Sequence, residues 1–198
     1  MKRALTAPAL IAALTLCALP GPAAAAGKAA LVKPVKTLIT SVRYGKDAKA
    51  LQQLAGDAQG EALLGADWAK GTPAQRREFT ELFHTLFAGL AFPQIRANFK
   101  HLETITYAKP EVKGDRATLR STLVILHPAK KQEIQVEYTL LKKGKAWKVV
   151  DVLVLGTGGE SMMAGIRTEQ VRPLFERGGW DGLLEAMRAR AAKINPKK

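Results

Sequence analysis

The residue in this sequence best placed to do chemistry is one acid inside an apolar segment. Asp151 lies in residues 147–155, which read Trp-Lys-Val-Val-Asp-Val-Leu-Val-Leu. A buried carboxyl group without a partner acquires a raised pKa, as in many general acids and bases. The alternative is a structural carboxylate that accepts a hydrogen bond from nearby backbone or from Arg167. We favour the structural role, because no second acid or histidine stands at a recognisable catalytic spacing from Asp151.

The other reactive side chains form no recognisable site. His84, His101 and His127 are not at metal-ligand spacing, and Cys17 is the only cysteine. The sequence contains no G-x-x-x-x-G-K-[ST], G-x-S-x-G, H-E-x-x-H or G-x-G-x-x-G motif. Residues 156–159 (Gly-Thr-Gly-Gly) lack the Lys and Ser/Thr of a phosphate loop, so we interpret them as a strand-to-helix connection. The sequence therefore predicts no catalytic residue, no metal and no cofactor, and it excludes an ATPase.

The first residues are typical of a cleaved Sec signal peptide. Met1, Lys2 and Arg3 precede an uncharged apolar run over residues 4–19, and alanines fill 23–26. We expect cleavage after Ala24, Ala25 or Ala26, which also removes Cys17 and leaves no thiol. The prediction is a signal peptide over residues 1–26 and one domain over 27–198.

The chain is strongly basic, with a formal net charge of +14. The signal segment holds two cations and no acid, so processing leaves +12. Such a charge favours anionic partners, which for an exported protein are phospholipid headgroups, membrane surfaces or acidic proteins, and not nucleic acid. A generally basic, soluble surface is the alternative that remains open.

The clearest helix begins at residues 72–75 (Thr-Pro-Ala-Gln), where Thr72 and Gln75 can form a capping box around Pro73. We expect Pro93 to end or bend this helix. Weaker patterns predict two short helices within residues 31–54, a helical turn in 61–68, and C-terminal helices with breaks at Pro173 and at Gly178 and Gly179. Apolar residues recur at helical spacing along the clearest helix and form one broad stripe: Phe79, Leu82, Phe83, Leu86, Phe87 and Leu90.

Between these helical regions the period of the pattern changes to two, which predicts about four antiparallel strands. The connections at 110–115, 127–131 and 142–145 are short enough for a meander. Residues 147–155 are apolar on both faces, so helices must cover this strand. Helices that precede and follow one block of strands favour an α+β fold with helices packed on a curved antiparallel sheet.

Three segments together resemble the MlaC, or toluene-tolerance, family. Residues 147–152 (Trp-Lys-Val-Val-Asp-Val), a glycine turn, Ser161 and Arg167 are similar to one family signature. Residues 64–83 and the closing Gly-Trp-Asp-Gly-Leu-Leu at 179–184 are similar to two others. The resemblance spans roughly residues 31–187. The chain departs from the family pattern by a longer turn before Ser161, by Phe92 in place of a common Tyr, and by Gln170 where an aromatic residue often stands.

This resemblance implies a fold like that of nuclear transport factors, with an apolar cavity, and a periplasmic carrier without enzymatic activity. Its partners would be a diacyl phospholipid, an inner-membrane ABC lipid transporter and an outer-membrane lipoprotein complex, in a pathway that maintains outer-membrane lipid asymmetry. We expect a monomer whose lipid-binding residues lie between the residue 79–90 helix and the sheet. These are Phe79, Phe83, Leu86, Phe87, Phe92, Leu123, Ile125, Tyr138, Val150, Val152, Met162, Met163, Ile166 and Arg167. Arg76, Arg96 or Arg167 could bind phosphate.

Two other functions remain open from the sequence. One is a small isomerase-like enzyme that uses a buried Asp151. The other is a basic adaptor that binds a membrane or a cell-wall polymer without enclosing lipid. A deep apolar pocket would separate the carrier from the adaptor, and polar groups beside Asp151 in that pocket would favour the enzyme.

Overall fold

A computed structural model describes residues 22–127 and 130–194 of the chain. The predicted signal peptide lies outside the described residues, except that the backbone of residues 22–26 forms the start of the first helix. No helix in the described part of the chain is long and apolar enough to cross a bilayer.

Four helices precede the strongly patterned segment that begins at Thr72. The sequence predicted these four helices less completely than that segment. Two helices cover most of residues 31–54, as expected, but the first is not short, because it spans 22 residues and begins before residue 31. The helical turn expected in residues 61–68 is two helices separated by Gly65, which has a positive φ of 59°. The helices are α1 (Pro22–Arg43), α2 (Asp47–Leu51), α3 (Gly56–Leu64) and α4 (Ala66–Lys70).

Helix α5 (Pro73–Phe99) begins where the sequence predicts. The Thr72 hydroxyl accepts a hydrogen bond from the Gln75 amide at 3.2 Å, and the Gln75 side-chain oxygen accepts one from the Thr72 amide at 2.9 Å. Of the two outcomes predicted for Pro93, an end or a bend, the end does not occur, because α5 continues to Phe99. An internal proline costs about 3 kcal/mol, and the burial of Phe92 beside it opposes that cost.

The strands form one open antiparallel sheet in the order β1-β3-β4-β5, with β2 paired to β3. The predicted α+β fold class is confirmed. The short strand β2 was predicted as part of a turn, because its three residues are all exposed and carry no apolar alternation. The strands are β1 (Leu102–Tyr107), β2 (Glu111–Lys113), β3 (Arg116–His127), β4 (Lys130–Lys143) and β5 (Ala146–Val154).

A β-bulge interrupts β5 next to Asp151. Thr139 of β4 pairs with Asp151 and Leu140 pairs with Val149, so Val150 has no partner across the ladder. The bulge explains why both Val149 and Val150 are buried, which strict alternation would not allow. The outer edge of β5 is covered, since the Val149 amide donates to the Gln53 carbonyl at 2.8 Å.

Of the two breaks predicted in the C-terminal helices, the one at Pro173 is wrong and the one at Gly178 and Gly179 is confirmed. Helix α6 (Met162–Ile166) continues through a π-helical turn (Arg167–Val171) directly into α7 (Arg172–Ile194). The helical backbone therefore continues through Pro173, which is not a break. The kink in α7 lies at Gly179, which has a positive φ of 57°.

The buried residues form two main clusters. In the first, α1, α2 and Phe92 pack against the sheet. In the second, α3 to α7 pack around Trp68, Phe79 and Phe83. Helices therefore lie against the sheet on one side and against one another beyond it, and α5 contributes to both clusters.

Candidate functional site

An apolar cavity of about 240 Å³ lies between the sheet and helices α1 and α5. We call it the inner cavity. Its wall combines apolar side chains from two layers of the fold with Gln59, Asn98, Tyr138 and Asp151. The other lining residues are Leu38, Ile39, Val42, Leu54, Phe87, Phe92, Ile95, Phe99, Leu123, Ile125, Ile134, Val136, Val149, Val150, Val152, Val154, Met162 and Met163.

Asp151 binds backbone at the wall of this cavity. Its Oδ1 accepts hydrogen bonds from the amide of Val152 at 2.7 Å and from the amide of Met163 at 3.0 Å. Ser161 occupies the N-cap of α6 and accepts from the Ala164 amide at 3.3 Å. Asp151 therefore holds the start of α6 against β5, as the structural interpretation predicted.

Gln59 and Tyr138 have partners within the protein. Gln59 is buried, and its Nε2 donates to the Val150 carbonyl at 3.3 Å. Its side-chain oxygen lies 3.3 Å from Nε2 of His84, which donates in the tautomer protonated there. The Tyr138 hydroxyl lies 3.1 Å from Oγ of Ser121, and burial raises the pKa of Tyr138 to about 12. The wall is therefore uncharged at Tyr138, and these polar groups are satisfied without a ligand.

A second space of about 610 Å³ lies between α5 and the C-terminal helices. We call it the outer groove. It shares Phe87, Ile95 and Met162 with the inner cavity, so the two spaces adjoin. The remaining lining residues are Phe83, Leu86, Leu90, Ala91, Gln94, Ile166, Gln170, Val171, Leu174, Leu183, Ala186, Met187 and Arg190.

The structure divides the residues predicted to bind lipid between these spaces. Nine line the inner cavity: Phe87, Phe92, Leu123, Ile125, Tyr138, Val150, Val152, Met162 and Met163. Phe83, Leu86 and Ile166 line the outer groove. Phe79 lines neither, because it is fully buried and stacks on Phe83 with ring centroids 6.1 Å apart. Arg167 also lines neither, and its guanidinium packs near Gly65.

The arginines named as phosphate ligands have other contacts. Arg96 donates to the Val42 carbonyl at 2.9 Å and pairs with Asp47, so it joins the end of α1 to α5. Arg76 lies 6.0 Å from the centre of the Trp68 ring. The arginine that lines the outer groove is Arg190, which the sequence analysis missed.

Sequence reasoning also missed the contribution of α1 to the inner cavity. Leu38 and Ile39 each lie one turn from Val42, and all three face the sheet. Their helical spacing was visible in the sequence and could have predicted a buried face. No sequence signal showed that this face borders a cavity, because that depends on how α1 and α5 together cover the sheet.

The fold and this site define a class of small α+β proteins in which helices and an open antiparallel sheet surround an apolar ligand-sized space. Residues 49–189, more than half of the chain, match the model of the MlaC protein family. The chain belongs to the MlaC family.

One solved structure with a similar fold is the phospholipid-binding protein from Ralstonia solanacearum, determined in complex with a phospholipid. The TM-score is 0.65 and the identity is 18%, over 84% of this chain and 97% of that chain. A multiply substituted protein whose name contains NTF2 gives a TM-score of only 0.41 at 15% identity, over 65% of this chain and 98% of that one. No curated protein sequence matches this chain.

Proposed function

We propose that this chain is a periplasmic carrier that binds a diacyl phospholipid. The observation that carries the proposal is the inner cavity, which is lined mainly by apolar side chains and adjoins a second, largely apolar groove. Membership of the MlaC family supports the proposal, and so does the phospholipid complex of the Ralstonia protein.

The physical need for enclosure is large. Burial of a methylene group is worth about 0.8 kcal/mol, so exposing an acyl chain of roughly sixteen carbons to water costs on the order of 12 kcal/mol. A carrier must cover most of that surface during transit. Apolar walls supplied by both the helices and the sheet meet this requirement.

The route of transport is the second part of the proposal. The carrier would exchange phospholipid with an outer-membrane lipoprotein complex and with an inner-membrane ABC transporter, and it would act as a monomer. Family membership supports these partners, and the sequence of residues 1–26 supports export to the periplasm.

The alternatives have weaker support. The enzyme hypothesis depends on Asp151, which does line the inner cavity, but Oδ1 of Asp151 already binds two backbone amides. A carboxylate that holds a helix in place is poorly suited to accept a substrate proton. The adaptor hypothesis gives no reason for an apolar cavity.

A pair of matched substitutions tests the proposal. Val152 is half-buried in β5 and lines the inner cavity, whereas Val112 is 53% exposed in β2 and lines neither space. A tryptophan that displaces about two methylene groups of the lipid removes roughly 1.6 kcal/mol, which weakens binding about tenfold. We therefore expect Val152→Trp to bind fluorescent phospholipid about tenfold more weakly and Val112→Trp to bind it like the wild type.

Circular dichroism and thermal melting confirm that each variant is folded before binding is compared. If Val152→Trp does not fold, Val154→Trp replaces it, because Val154 lines the same cavity and is 41% exposed. Folded variants of both positions that bind phospholipid as tightly as the wild type would contradict the proposal.

A further inference from the structure

The wall between the inner cavity and the outer groove consists of side chains that can move. Phe87, Ile95 and Met162 belong to both spaces, and all three are half-buried. Met162 is unbranched, and methionine adapts readily to irregular apolar ligands. None of the residues that the two spaces share is therefore fully buried.

The inner cavity by itself is too small for a whole diacyl lipid. The inner cavity, at about 240 Å³, is smaller than the roughly 300–1,000 Å³ typical of sites for small ligands. The outer groove is larger, at about 610 Å³, and most of its lining is apolar. Two adjoining apolar spaces fit a ligand with two chains that diverge from one polar group.

Three of the residues that line the outer groove are polar and exposed. They are Gln94, Gln170 and Arg190, and Arg190 is the only cation among the described residues that line the groove. Gln170 occupies a position where the family pattern often has an aromatic residue, so the lining is more polar here than that pattern implies.

Arg190 is available to an anion. None of the ion pairs within residues 22–127 and 130–194 includes it. Arg188, in the same helix, instead donates to Glu78 at 2.6 Å and joins α7 to α5. Of these two arginines in α7, Arg188 therefore pairs with α5 and Arg190 lines the groove.

We propose that Arg190 binds the phosphate of the lipid at the outer groove, with one acyl chain in that groove and the other in the inner cavity. The guanidinium group presents paired N–H donors that match phosphate oxygens. This inference rests on the proposed carrier function and specifies its ligand as a glycerophospholipid with two chains and a phosphate.

The phosphate contact is tested with two lipids and two variants. Phosphatidylglycerol and diacylglycerol with the same acyl chains differ in the phosphate-bearing headgroup. Lys193→Gln is the matched control for Arg190→Gln, because Lys193 is an exposed cation in the last turn of α7 and lines neither space. We expect Arg190→Gln to bind phosphatidylglycerol about tenfold more weakly. Its affinity for diacylglycerol, and both affinities of Lys193→Gln, should match the wild type.

The failures can be told apart. If the wild type binds neither lipid, the carrier function itself is wrong. If the wild type binds phosphatidylglycerol and Arg190→Gln binds it equally well, the carrier function stands and the role of Arg190 is wrong. An equal loss of affinity for both lipids in Arg190→Gln would also overturn the phosphate contact, because Arg190 would then act through the shape of the groove.

The chain in the outer groove is tested separately with Ala91→Trp. Ala91 lines the groove on α5, and Ala97 is an exposed alanine on the same helix that lines neither space. We expect Ala91→Trp to bind phosphatidylglycerol about tenfold more weakly than the wild type does. Its affinity for single-chain lysophosphatidylglycerol should stay within about twofold of the wild-type value. Ala97→Trp should change neither affinity. An equal effect of Ala91→Trp on both lipids, or no effect on either, would overturn this placement of the chain.

Discussion

At the scale of single residues, three of the four polar residues that line the inner cavity bind the protein itself. Asp151 holds backbone amides, Gln59 bridges a carbonyl and a histidine, and Tyr138 pairs with Ser121. Unpaired polar groups would bind water and disfavour an acyl chain. This pairing leaves the wall suited to hydrocarbon, although four polar residues line it.

His84 makes this arrangement sensitive to pH. Burial lowers the pKa of His84 from its ordinary value of 6.5, so the folded protein binds this proton less readily than the unfolded chain does. The free energy of unfolding must then fall as the pH drops below 6.5, and the loss is complete once the pH is below the folded pKa. Above 6.5, His84 contributes no pH dependence.

Urea unfolding between pH 7.5 and pH 5 measures this effect. We expect the wild type to lose stability over that range and His84→Gln to lose less, since glutamine can donate to Gln59 but does not titrate. Parallel pH dependences for the two proteins would show that His84 is not responsible.

At the scale of elements, the start of helix α6 depends on Asp151, because the first amides of a helix have no partner within the helix. Asp151 and Ser161 together bind the second and third amides of α6, and a single capping bond is worth about 1 kcal/mol. We expect Asp151→Ala to lower the free energy of unfolding by about 1–2 kcal/mol, and Asp151→Asn by less, because asparagine keeps an acceptor oxygen.

Chemical denaturation of the three proteins checks this prediction. Glu160→Ala is the control, because Glu160 is an exposed acid in the loop that precedes α6. Equal stabilities of Asp151→Ala and the wild type would show that the two backbone bonds contribute nothing. A folded Asp151→Asn that carried lipid but lost a measurable turnover would support the enzyme instead.

The elements also show which parts of the fold the sequence determines locally. The start of α5 was predicted to the residue, because the Thr72 and Gln75 capping box is a local interaction. The sequence left open whether α5 ends or bends at Pro93, because burial of Phe92 against the sheet is a tertiary effect. Strand β2 was missed because its three residues have no apolar face and pair with β3 across a tight turn at Gly114.

At the scale of the whole molecule, the site was predictable only in part. The sequence prediction named nine of the 22 residues that line the inner cavity, and most of these nine lie on the apolar faces of α5, β3, β4 and β5. The apolar periods alone do not show which positions line the inner cavity, which lie in the close-packed core at Phe79 and which line the outer groove. Arg190 is one of 31 Lys and Arg residues, and only the packing of α7 on α5 distinguishes it from the others.

Native mass spectrometry of the protein purified from the periplasm shows directly whether the folded chain encloses a diacyl phospholipid. We predict a complex heavier than the mature chain by the mass of one phospholipid, which organic extraction removes and incubation with phospholipid vesicles restores. A folded protein that has the bare mass of the mature chain, before and after incubation with the vesicles, would contradict the account.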